Sequence, residues 1–68
     1  MPISARNQLT GRIIEIQLGD VMAHVSLRVG KNVIESVITR RSAEQLGLKK
    51  GDTVTAIIKS TEVMLMKD

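Results

Sequence analysis

A chain of 68 residues allows one domain, and a core of this size rarely supplies more than roughly 3–5 kcal/mol, so small proteins add disulfides, a metal or oligomerisation. With no cysteine and one histidine, His24, disulfides, thiolate metal centres and a multi-histidine site within one chain are excluded. Ten basic and seven acidic residues leave a net charge of +3 in runs no longer than Arg40-Arg41 and Lys49-Lys50; with no Phe, Tyr or Trp as stacking platforms, this argues against nucleic acid and suits a small anionic ligand.

In chain order, the opening residues 1–7 carry no apolar core of signal-peptide length. No later apolar run approaches the ~20 residues needed to span a bilayer, so a soluble, cytoplasmic protein without a membrane partner is expected. Ile14, Ile16 and Leu18 alternate with Glu15 and Gln17 and predict a first strand, preceded by the polar cluster Ser4-Ala5-Arg6-Asn7-Gln8. Gly19-Asp20 reads as a hairpin turn. Val21, Ala23, Val25, Leu27 and Val29 then alternate with Met22, His24, Ser26 and Arg28, the clearest half-buried strand in the chain. After the turn Gly30-Lys31-Asn32, residues 33–38 are β-branched and apolar on both faces, which predicts a strand covered on both sides, one of them by a neighbouring subunit.

The alternation breaks at Thr39, a suitable N-cap, and residues 39–47 read as one short helix closed by Gly47. Lys50-Gly51-Asp52 is a further turn. Val54, Ala56 and Ile58 alternate with Thr53 and Thr55 in a fourth strand, and residues 61–66 predict a fifth. Three strands, a short helix and two strands match an all-β fold: a small OB-type five-stranded Greek-key barrel with one short helix between strands 3 and 4. The Val, Ile, Leu, Ala and Met that make up its apolar content fill a thin barrel or an extended interface, so a homo-oligomer is expected.

Catalytic signatures are few. There is no P-loop and no GxGxxG, and the carboxylates are scattered. A Ser-His-Asp arrangement would need His24 beside a serine and a carboxylate, but His24 falls on the polar face of a regular strand, where a solvent-facing histidine is the simpler reading. Two polar clusters carry more information: Ser4 to Gln8, and Lys59-Ser60-Thr61 between two apolar stretches. A dianion is costly to desolvate and needs charged plus neutral donors. Arg6 and Lys59 supply charge, and Ser4 and Ser60 supply hydroxyls. The helix start adds Thr39, Ser42 and free N–H groups, and Arg40 and Arg41 oppose the helix dipole there, a conflict an anion would relieve. The plain alternatives are a frayed terminus and an ordinary turn.

The segment Ser4-Ala5-Arg6-Asn7-Gln8-Leu9-Thr10-Gly11 closely resembles the SARNQ-x-x-G opening of the molbindins, or Mop proteins. Ala56-Ile57-Ile58-Lys59-Ser60-Thr61-Glu62-Val63-Met64 resembles their closing A-x-I-K-[SA]-[ST]-[DE]-V-M pattern. Ile38-Thr39, Ser42, Leu46-Gly47-Leu48 and Gly51 resemble the middle block, so the likeness covers essentially the whole chain. It implies one Mop/TOBE-type molybdate-binding domain over residues 1–68, a homohexamer built as a trimer of dimers, and molybdate or tungstate held at subunit interfaces by hydrogen bonds, with no directly coordinated metal and no cofactor. By the same resemblance Ser4, Arg6, Lys59 and Ser60 match the binding motifs, and Thr39 and Ser42 match helix-start positions that complete a site from a neighbouring subunit. Gln45 stands where some relatives carry arginine, so that charge is missing here, and Gln45 reads as a surface helix residue. An intracellular molybdenum store without enzymatic activity is the expectation. The alternatives are an OB-type module for nucleic acid, or a regulatory or structural oligomer that binds a protein.

Overall fold

The structure, a computed structural model, describes residues 4–68. Its elements are β1 (Asn7–Leu18), β2 (Met22–Val29), β3 (Asn32–Thr39), α1 (Arg40–Leu46) and β4 (Thr53–Ile58), followed by a single 3-10 turn at Ser60–Glu62. The fold is mostly β, with one short helix between the third and fourth strands. The four strands form one antiparallel sheet in the order β3-β2-β1-β4. That is the Greek-key order: three strands joined by hairpins, and a fourth that returns beside the first.

β1 is long enough to serve two neighbours. Its first half pairs with β4, from Asn7↔Ile58 to Arg12↔Thr53. Its second half pairs with β2, from Arg12↔Arg28 to Leu18↔Ala23. The handover needs a bend, and a register shift between Ile13 and Glu15 supplies it. The extra residue, Ile14, resets which side chains point inward. Ile13 therefore becomes the most buried large side chain, 1% exposed, although alternation from Ile14 onward places it on the polar face. Its backbone is held by the loop before β4: Ile13 N–H donates to the Asp52 carbonyl at 2.9 Å, and Gly51 N–H donates to the Ile13 carbonyl at 2.8 Å.

The core is thin. Ile13, Val25 and Leu27 form its centre, with Ile16, Ile34, Ile38, Leu48, Val54 and Ala56 packed around them. Ala43 brings α1 onto the sheet. Both ends of that helix are closed as the sequence suggests. Thr39 Oγ1 accepts from Ser42 N–H at 3.0 Å. Gly47 takes the left-handed conformation, φ 62°, and the N–H groups of Gly47 and Leu48 close back on Glu44 and Ala43 in a Schellman arrangement.

One expectation is corrected. Residues 61–66 do not form a fifth strand: a 3-10 turn takes Ser60 to Glu62, and residues 63–68 run on without a ladder partner. Strand propensity marks residues that pack well on a sheet, but a strand exists only where an edge receives it, and among the described residues no edge does. Within one chain β3 buries one face and leaves the other open. Ile34 and Ile38 point inward, whereas Val33 and Val37 are 50% and 63% exposed.

Candidate functional site

The β1–β4 ladder assembles the first donor group. Asn7↔Ile58 is its last pair, so Arg6 and Lys59 each stand one residue beyond it on adjacent strands. Two clusters 53 positions apart in sequence, from Arg6 to Lys59, become neighbours through ladder register alone. Ser4 lies in a bend just ahead of β1, and Ser60 opens the 3-10 turn just after Lys59. All four residues are exposed. Gln8 Nε2 donates to the Ala5 carbonyl at 3.1 Å and ties the opening segment to the start of β1. An open cleft of about 350 Å³ lies here, lined by Arg6, Asn7, Gln8, Leu9, Ile58 and Val63.

The electrostatics favour an anion. Among the described residues the ion pairs are His24 with Glu35 and Arg40 with Glu44; neither Arg6 nor Lys59 is neutralised by a carboxylate. The side chains of Arg6, Lys59, Ser4 and Ser60 offer guanidinium, ammonium and hydroxyl donors.

The helix start lies elsewhere. Thr39 pairs with Met22, and Arg40 N–H donates to the Val21 carbonyl at 2.8 Å, beside the turn that ends β1. Thr39 and Ser42 are thus at the far end of β1 from Arg6 and Lys59, with 12 residues and roughly 35 Å of strand between them. A small anion held by contacts of about 2.7–3.2 Å cannot reach both groups in one chain. The helix start is also largely self-satisfied. Thr39 Oγ1 donates to Ser42 Oγ at 2.8 Å besides capping its N–H. Arg40 donates to the Gly19 carbonyl at 3.2 Å and lies 3.6 Å from Glu44, so its charge has partners without an anion.

His24 and Glu35 form a separate cross-strand contact on the outer face, Nε2 to Oε1 at 3.3 Å, and Ser26 donates to the same carboxylate oxygen. This is the ordinary surface histidine that alternation suggests. No group of three or more His, Cys, Asp or Glu among the described residues is placed to hold a metal ion. Sequence reasoning did not single out Asn7, Leu9 or Ile58 as cleft walls; only pairing of β1 with β4 brings them together.

Comparison with known proteins places this geometry in context. The TOBE domain model matches residues 3–65. The chain is similar to molybdenum-pterin-binding protein 1 of Clostridium pasteurianum, 48% identical over 97% of this chain and 98% of that protein. It superposes on a molybdate-binding protein from Sporomusa ovata with a TM-score of 0.95, at 39% identity, over 98% of this chain and 100% of the other. It also matches the cytoplasmic molybdate-binding protein ModG, in a form with molybdate bound, with a TM-score of 0.83 and 39% identity over 88% of this chain and 43% of that one.

Proposed function

The chain belongs to the TOBE domain family, and on that premise we propose that it binds molybdate through hydrogen bonds from Arg6, Lys59, Ser4 and Ser60. The observation that carries this is the pair of cations brought together beyond the last β1–β4 pair without a carboxylate on either. Two near-full-length relatives in this comparison support it by name, one as a molybdate-binding and one as a molybdenum-pterin-binding protein. A set of two cations and two hydroxyls, in which only the serine oxygens can also accept, fits a bare tetrahedral oxyanion better than a pterin ring, whose N–H groups need acceptors.

The finer reading has four parts. Tungstate, nearly the same size as molybdate, occupies the same cage. Thr39 and Ser42 act on an anion only from another copy, because their own chain holds them at the opposite end of β1. Residues 1–68 work as a single domain in a homohexamer, a trimer of dimers, in which such sites form between chains. The protein stores molybdenum in the cytoplasm and catalyses nothing. No helix among the described residues is long and apolar enough to cross a membrane.

Isothermal titration tests the site. Molybdate and tungstate should bind, while sulfate and phosphate, being smaller, should bind far more weakly. Monohydrogen phosphate also carries a proton for which neither Arg6 nor Lys59 offers an acceptor. Each of Arg6→Ala and Lys59→Ala removes a charge-assisted contact of about 1.5–3 kcal/mol, a roughly ten- to hundredfold loss of affinity, with the circular dichroism spectrum unchanged. Unaltered affinity in the double variant would refute the assignment.

A further inference from the structure

Ser4 and Arg6 lie outside the ladder that fixes the rest of β1. The last pair is Asn7↔Ile58, so the chain before Asn7 has left its partner strand. The ladder therefore anchors Arg6 on one side only, through Asn7. A guanidinium on a loose segment is a poor ligand group, because the freedom it loses on binding is subtracted from the binding energy. A segment already held in the free protein avoids that loss.

The side chain of Gln8 supplies such a hold. Apart from the strand ladder, the one hydrogen bond to residues 4–6 among the described residues runs from Gln8 Nε2 to the Ala5 carbonyl, at 3.1 Å. It closes a short loop from Ala5 to Gln8, and the base of that loop is the ladder pair Gln8↔Ile57. Arg6 then sits between two fixed points, the Ala5 carbonyl on one side and Asn7 on the other. The placement agrees with this. Residues two apart on a strand share a face, so Gln8 and Ile57 lie on one face, and Asn7 and Ile58 on the other. Lys59 continues the strand in an extended conformation, φ −66° and ψ 138°, and shares the face of Ile57. Gln8 thus stands one row from Lys59 and lines the same cleft as Arg6. Burial does not account for Gln8, which is exposed; its amide is turned to the backbone of the opening segment.

We propose that Gln8 is a positioning residue of the anion site: its side-chain amide holds the Ala5–Arg6 peptide, and so keeps the Arg6 guanidinium beside Lys59 before an anion arrives. The inference deepens the molybdate reading and rests on it. Gln8 acts on affinity through Arg6 and makes no contact with the anion.

Gln8→Met keeps the length of the side chain and removes its donor. Titrated with molybdate beside the parent, it should bind roughly three- to tenfold more weakly. Its melting temperature should move by no more than a few degrees, as for other surface substitutions. Trypsin reads the tether directly, because cleavage needs a locally open chain. Cleavage after Arg6, followed by intact mass, should be faster in Gln8→Met, while cleavage after Arg12, inside β1, stays at the parent rate. On an Arg6→Ala background Gln8→Met should cost less than about twofold, since the residue it holds is gone. Gln8→Asn keeps the amide but is a methylene shorter, and it should lose affinity as Gln8→Met does.

Parent affinity in either Gln8 variant, with Arg6→Ala still weakened, overturns the inference and leaves the molybdate site standing. Losses that multiply in Arg6→Ala/Gln8→Met overturn it too, because Gln8 would then meet the anion itself. So does a melting temperature that falls in step with affinity, which would assign Gln8 to the fold rather than to Arg6. Parent affinity in Arg6→Ala and Lys59→Ala alike removes the molybdate site, and this inference with it.

Discussion

The β1–β4 ladder that brings Arg6 beside Lys59 passes through a neutral residue that cannot be enlarged, Gly11. At that position β1 crosses β2 so closely that an added Cβ would stand 2.5 Å from the Arg28 carbonyl oxygen and 2.7 Å from Val29 Cγ2. Backbone lies on the near side, so no side-chain rotation relieves the clash. Gly11→Ala should cost about 1–3 kcal/mol or somewhat more, measured by urea denaturation. Because Gly11 pairs with Val54 in the ladder that ends at Asn7↔Ile58, the variant should also loosen the anion site. An alanine variant as stable as the parent would show that β1 and β2 are farther apart than described. Gly11 falls within the opening motif, yet the motif does not say why a glycine is needed. The close approach of β2 does.

At the scale of elements, the caps of α1 were legible and the bend of β1 was not. Thr39 and Gly47 are local signals: a side chain that bonds N–H three residues on, and a residue free to adopt φ 62°. Thr39→Ala should destabilise the fold by about 1 kcal/mol, while Thr39→Ser, which keeps the oxygen, should be close to neutral in the same thermal melt. Equal loss in both would assign the effect to the methyl group. The bulge at Ile13 and Glu15 has no such local signature. It arises because β1 must pair with β4 and then with β2, a demand made by strands distant in the chain. Alternation over Ile14, Ile16 and Leu18 therefore matched the core at Ile16, missed Ile13 before the bulge, and left Leu18 52% exposed.

At the scale of the whole molecule, the buried apolar set among the described residues is Ile13, Ala23, Val25, Leu27 and Ala43, while Val33, Val37, Leu46, Met64, Leu65 and Met66 face outward. So little buried surface leaves a single copy marginal. Stability should therefore depend on protein concentration, because association favours the folded state by mass action. Raising the concentration a hundredfold should lift the melting temperature by several degrees, about 4–8 °C for each kcal/mol at this chain length. A midpoint independent of concentration would mean that one copy suffices.

Local chemistry settles much of this protein within short stretches of chain. Four strands, the capped helix, the turns at Gly30 and Gly51, and the surface role of His24 follow from alternation, side-chain oxygens and glycine's freedom, each within a few residues. The family follows too, since its motifs span the chain. Which of these residues meet is set by the folded sheet. It put Arg6 beside Lys59 and set Thr39 and Ser42 at the far end of β1. It buried Ile13 and left the expected fifth strand without an edge. Those outcomes depend on strand order and ladder register, which are set by packing between residues far apart in the chain, and a local pattern carries no record of that packing.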